Sequence, residues 1–191
     1  MLELIAWLVG VDQAVFFFIN GTLANPITDF AMPLITTDLH LKVFYGVILI
    51  VILWKGDRRL RWSVLFSLIV VALSDQLSSA VLKPMIARPR PCWDLEVHLL
   101  VGCGSGFSLP SSHAANLFAQ AWLYKTAWPQ SAKYLVPLAI VVALSRVFVG
   151  VHYPFDILVG AALGTLIGFV MGIVFLRIFP RQKPRENITE E

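Results

Sequence analysis

From Ile157 to Leu176 the chain runs for 20 residues without one charged side chain. At about 1.5 Å of rise per helical residue, such a run is about 30 Å long, which matches the hydrocarbon core of a bilayer. In lipid, a lone segment satisfies its backbone only as a helix. Trp62 to Leu82, Tyr134 to Val151, and Leu41 to Trp54 with its upstream flank are comparable apolar runs. Ser111 to Trp128 is more polar, yet it must cross for its neighbours to alternate sides. Leu2 to Asn20, interrupted by Glu3 and Asp12, reads as a weak span or an interfacial helix. It lacks a basic start and a small-residue cleavage site, so it is not expected to be a removable signal peptide. Residues 21–40, with Asn25-Pro26 and Pro33, read as an interfacial elbow.

The expected fold is an all-α polytopic membrane bundle of five or six transmembrane helices with an N-terminal interfacial segment. Residues 1–180 form a single domain, with 1–40 as the weak span or interfacial part and 181–191 as a cytoplasmic tail. Only 14% of residues are charged, against about 25% in a soluble domain, and no stretch remains for a separate soluble catalytic unit. The net charge of +3 comes from basic clusters at span ends, so membrane topology accounts for it and nucleic acid is not an expected partner. Lys55, Arg58, Arg59 and Arg61 mark one cytoplasmic loop, Lys125 and Lys133 bracket another, and Arg177, Arg181, Lys183 and Arg185 mark the tail. Alternation then places the loop from Lys83 to Pro110 and the turn from Gly150 to Pro154 on the outer face. Cys92 and Cys103 both lie in that outer loop, and the sequence is compatible with a disulfide and with two thiols.

Charged groups in a bilayer cost roughly 2.5 to 3.5 kcal/mol on insertion scales, so their positions are informative. Lys83, Arg88 and Arg90 follow one span, His113 opens the next, Arg146 ends the one after, and His152 and Asp156 open the last. All seven map to the outer face. Snorkelling to headgroups explains Lys83 or Arg88 singly, but not two histidines and a carboxylate among four cations. Such a set suits phosphate, whose oxygens match arginine forks and a lysine point charge. Pro110-Ser111-Ser112-His113 adds a helix start, with either serine as N-cap and free amides for an oxyanion. Asp156, four residues after His152, can fix the imidazole tautomer and leave the other ring nitrogen as a nucleophile.

Together these segments resemble the type 2 phosphatidic acid phosphatase superfamily, integral-membrane lipid phosphatases related to vanadium haloperoxidases. The family pattern is Lys, six residues, Arg-Pro; then Pro-Ser-Gly-His; then Ser-Arg, five residues, His, three residues, Asp. The chain reads Lys83 to Arg90-Pro91, Pro110-Ser111-Ser112-His113, and Ser145-Arg146 to His152 and Asp156. Ser112 departs from the commonest residue, glycine. The resemblance implies that His152 attacks phosphorus, Asp156 orients it, and His113 serves as general acid and then base. It implies that Lys83, Arg90, Ser111, Ser112 and Arg146 hold the phosphoryl oxygens, with no metal and no cofactor. The implied partners are membrane lipids and a lipid phosphate substrate at the outer face of the bacterial cytoplasmic membrane.

The opening from Asp12 to Asn20 looks most like undecaprenyl diphosphate phosphatases. Phosphatidylglycerol phosphate, phosphatidate and lipid A are the alternative substrates. An anion transporter would spread its charges through the membrane depth, and a non-catalytic lipid-binding scaffold has no use for a His152–Asp156 pair. His40 and His98 read as loop residues, and Asp75 and Asp94 receive no role. Gly160, Gly164, Gly168 and Gly172 read as a packing stripe. The 13 Phe and 6 Trp read mostly as lipid- or interface-facing, with a lipid-tail groove as the alternative role of Trp93 and Phe107. Oligomeric state is not legible in the sequence.

Overall fold

The computed structural model describes residues 2–181, so Lys183, Arg185 and the rest of the tail beyond Arg181 lie outside the described residues. The first helix, α1 (Leu2–Phe17), continues through a wider π-helical turn, Phe18–Thr22. Asn25 then caps α2 (Pro26–Thr36) reciprocally. Its Oδ1 accepts from the amides of Ile27 and Thr28 at 3.0 and 3.2 Å, while the Asn25 amide donates to Thr28 Oγ1 at 2.9 Å. Thr37 is extended and bends α2 by 55° from α3 (Asp38–Lys55), so the elbow read from the sequence is a real break. Next come α4 (Arg58–Asp75), a π-helical stretch Gln76–Leu82, and the single turns α5 (Lys83–Ile86) and α6 (Pro91–Asp94). The chain finishes with α7 (Ser112–Ala127), α8 (Ala132–Phe148) and α9 (Pro154–Ile178).

Glu3–Thr22, Arg58–Asp94, Pro129–Phe148 and Pro154–Ile178 are long and apolar enough to cross a membrane, and α2 with α3 makes a fifth if taken as one broken span. The N-terminal segment is therefore long enough to span. Two boundaries differ from the sequence reading. Arg58, Arg59 and Arg61 belong to the first turn of α4, because Asp57 caps it by accepting from the Leu60 amide at 2.7 Å. Lys83 is helical rather than in the loop.

The polar helix α7 explains itself by position. Its 16 residues reach only about 24 Å, and α4, α8 and α9 surround it, so it faces protein instead of lipid. On the side of α4 it presents a polar residue every four positions: Tyr124 meets Ser63, Gln120 meets Ser67 and Asn116 meets Ser74 of α4, and Ser112 meets Ser78 of the π-helical stretch that follows. Against α9 it packs through the glycine stripe. A Cβ at Gly160 would collide with the Ser111 carbonyl, one at Gly164 with that of Ala115, one at Gly168 with that of Ala119, and one at Gly172 would lie 2.6 Å from Thr126 Cβ. The two backbones touch.

The core divides into two layers. Phe16, Ala114, Ala143, Val147, Tyr153 and Ile157 cluster at one end of the bundle, and Phe66, Val70, Ala119, Leu123, Ala127 and Phe175 nearer the other. At that second end Arg59 lies over the Trp128 ring and donates to the carbonyls of Ala127, the last residue of α7, and Phe179, which caps α9, at 3.2 and 3.1 Å. Asn20 pins α1 to the first end. Its Nδ2 donates to the carbonyls of His98 and Phe148, both at 2.8 Å, and its Oδ1 accepts from the His98 amide.

Cys92 and Cys103 form a disulfide that closes the loop between α6 and α7, with their Cα atoms 6.0 Å apart. By loop-closure entropy, Cys103→Ser is expected to cost about 3 kcal/mol. The check is thermal melting in detergent: reductant lowers the wild-type midpoint and leaves that of the variant unmoved.

Candidate active site

Three helix boundaries meet at the first end of the bundle. At α5, Ala87 takes a left-handed conformation (φ 52°) that usually favours glycine, and this stops the helix just before Arg88. At α7, the first intrahelical bond runs from the Ala115 amide to the Ser111 carbonyl, so the amides of Ser112, His113 and Ala114 precede the ladder. At α9, Pro154 opens the helix and Asp156 in its first turn accepts from the Tyr153 amide at 2.8 Å. The same Asp156 Oδ2 lies 3.3 Å from His152 Nδ1. The four-residue spacing therefore produces the contact expected of it.

His152 is buried, and its Nε2 lies 3.5 Å from an Arg90 guanidinium nitrogen. Burial, and after it the charges of Arg90, Arg146, Lys83 and His113, hold the imidazole well below its usual pKa. It is neutral at pH 7, and one ring nitrogen keeps a lone pair. The charges of Lys83, Arg90, His113 and Arg146 thus all act on this one ring. Arg90 is aimed by bonds from Nε to the Gly106 carbonyl at 2.5 Å and from a terminal nitrogen to that of Val151 at 3.2 Å. The disulfide-closed loop thus carries one wall of the site.

Two buried polar atoms here find no hydrogen-bond partner among the described residues: Ser111 Oγ and Arg146 Nε. Unsatisfied buried groups are costly, and these two are available to an oxyanion. Ser111 is anchored by its amide to the Asp156 carbonyl at 2.9 Å, which joins the starts of α7 and α9. The Ser112 hydroxyl is bonded to Ser79 and Ser78 at 2.8 and 3.1 Å.

The elbow between α2 and α3 contributes groups that the sequence reading did not assign. Asp38 Oδ1 lies 2.9 Å from His113 Nε2, and Thr36 Oγ1 accepts from Arg146 at 2.6 Å. Neither carries a spacing signal, because the elbow is more than seventy residues from either partner. Arg88 bridges Asp156 and Asp12, and those bonds are the nearest thing to a reason for a carboxylate in the middle of α1. His98, read as a loop residue, pairs with Asp29 at 3.0 Å.

A cavity of about 520 Å³ opens beside His113 and Asp38 and runs between α3, α4, α7 and α8 toward Trp128. Its lining is mainly apolar, with Leu41, Phe44, Ile48, Leu117, Leu135 and Leu138 among the walls. Trp93 and Phe107 meet edge to face elsewhere and are not among the residues that line it.

The chain is similar to known membrane phosphatases along most of its length. It is 29% identical over 177 residues to a lipid A 4'-phosphatase of Bacteroides thetaiotaomicron, an overlap of 84% of this chain and 75% of that one. It is 30% identical over 139 residues to the undecaprenyl-diphosphatase BcrC of Bacillus subtilis, covering 70% and 68% of the two chains. The crystal structure of a PAP2-type phosphatidylglycerolphosphate phosphatase from Bacillus subtilis superposes with a TM-score of 0.72 at 25% identity, over 92% of this chain and 89% of the other. With the PAP2 superfamily pattern matching residues 60–184 as well, the chain belongs to that superfamily and is a multi-pass membrane phosphatase, of a kind that hydrolyses phosphate esters without a metal cofactor.

Proposed function

We propose that this site hydrolyses a lipid diphosphate through a phosphohistidine on His152, at the outer face of the cytoplasmic membrane, with undecaprenyl diphosphate as the substrate. The observation that carries the reading is His152 itself: buried, neutral, with Nδ1 toward Asp156 and Nε2 toward Arg90. In the first step an N–P bond forms as the P–O bond to the departing group breaks. His113, whose Nε2 lies 2.9 Å from the Asp38 carboxylate, takes up a proton when the phosphate's negative charge enters the site and gives it to the leaving oxygen. In the second, His113 takes a proton from water, the water oxygen bonds phosphorus and the N–P bond breaks. Lys83, Arg90, Arg146, Ser111 and the amides of Ser112 and His113 hold the oxygens as charge accumulates in the transition state.

The remaining parts of the reading rest on separate observations. The end of the bundle away from the site carries Lys55, Arg58, Arg59, Arg61, Lys125 and Arg181, which the positive-inside rule assigns to the cytoplasm. The apolar cavity beside His113 can take the first part of one hydrocarbon tail, and the similarity to the undecaprenyl-diphosphatase of Bacillus subtilis supports a prenyl carrier. A second reading, a lipid A phosphatase, is favoured by the longer overlap with the Bacteroides relative.

Phosphate release in detergent with chelator present, from undecaprenyl diphosphate, phosphatidate, phosphatidylglycerol phosphate and lipid A, distinguishes these readings. The expected result is fastest release from undecaprenyl diphosphate, unchanged by chelator. Faster release from lipid A overturns the substrate, and loss with chelator overturns the mechanism.

A further inference from the structure

Asp12 lies in the middle of an apolar helix, outside residues 60–184 and outside the three motifs, and is fully buried. A carboxylate there is expensive unless every oxygen is engaged, and both are. Oδ1 accepts from the Phe155 amide in the first turn of α9 at 2.9 Å, and Oδ2 accepts from Arg88 at 2.5 Å. The other terminal nitrogen of Arg88 donates to Asp156 Oδ1 at 2.8 Å, and the central guanidinium carbon lies over the Tyr153 ring, 4.1 Å from its centroid. Asp156 completes the chain through its second oxygen, to His152. One fork therefore spans two buried carboxylates that sequence separates by 144 positions.

We infer that Asp12 is a positioning residue for the phosphoryl-transfer step, acting through Arg88 on Asp156 and so on His152. The physical reason is charge sharing. Arg88 alone with Asp156 would neutralise the carboxylate that His152 depends on. Dividing the same guanidinium between two carboxylates leaves one net negative charge in the cluster, so Asp156 keeps its pull on the imidazole N–H and stabilises the positive charge that ring gains as it attacks. The Phe155 bond also fixes where α9 begins, two residues after the tip that carries His152. Without Arg88 the two carboxylates would oppose each other, and one would be driven to protonate.

This inference rests on the functional reading above, and single-turnover kinetics separate the two. With saturating enzyme in excess over the fastest-cleaved lipid phosphate, the observed rate constant does not depend on what fraction of a variant is folded. Asp12→Asn is expected to lower that rate constant about tenfold to a hundredfold, as loss of groups that orient a working imidazole does, with binding changed less than threefold. Asp12→Glu restores part of the loss. A rate within twofold of wild type in folded Asp12→Asn overturns the inference and leaves the functional reading standing. Should Asp12→Asn fail to fold, Arg88→Lys gives the same decision: a lysine point charge cannot bridge two carboxylates as a planar fork does, so the rate falls at least tenfold, and a wild-type rate overturns the inference. A wild type that cleaves no lipid phosphate removes both.

Discussion

His152→Ala is expected to fold and to lose at least about 10³-fold in phosphate release, because a covalent route has no substitute for its nucleophile. Folding survives for a specific reason. When the ring is removed, Asp156 Oδ2 still accepts from the Tyr153 amide and Oδ1 still accepts from Arg88, so the buried carboxylate does not lose its partners. The cavity left by the imidazole costs some stability, visible as a lowered melting midpoint, but the helices keep their contacts. Melting in detergent alongside phosphate release tests both halves. A folded variant that retains a tenth of wild-type turnover would remove His152 from the reaction.

The second large effect falls on the fold. Gly164→Leu should cost about 3 kcal/mol or more and leave little monodisperse protein after detergent extraction. Within a membrane no hydrophobic force drives helices together, so close van der Waals packing of α7 and α9 must do so. At Gly164 the first added carbon already meets the backbone of Ala115 and Ala119, which cannot rotate aside as a side chain would. The helices must separate along their shared length, and this also moves Ser111 away from Asp156, which its amide reaches across the same seam. Leu158, on the lipid-facing side of the same helix, gives the control: Leu158→Ala leaves both melting and extraction near wild type.

Much of the site was legible because it is written in local spacings. Lys83 to Arg90, Ser111 to His113 and Arg146 through His152 to Asp156 each span at most one short turn or loop between helix ends, where sequence distance limits how far apart the side chains can be. The spans were legible for the same reason. What the sequence did not disclose are partnerships between remote segments. Asp12 read as an interruption in a weak span, when it is the far end of a hydrogen-bonded chain reaching His152. Asp38 and Thr36 belong to an elbow whose fold-back onto His113 and Arg146 depends on one extended residue, Thr37. The Cys92–Cys103 bond could not be decided from the sequence either, since it depends on the path of a loop that Arg90 and Gly106 help to shape. At Ser112, which stands where the family pattern most often has glycine, the hydroxyl bonds Ser78 and Ser79 in the π-helical stretch after α4, a contact that no local spacing announces.

The most direct test is to catch the intermediate. Wild-type protein is mixed with a lipid phosphate it turns over, quenched rapidly in alkali, where a phosphohistidine survives, and digested for mass mapping of the phosphate. The predicted result is phosphate on His152, absent from His152→Ala and released when the digest is acidified. Phosphate on any other residue, or undiminished turnover by His152→Ala, would contradict a site built around that imidazole.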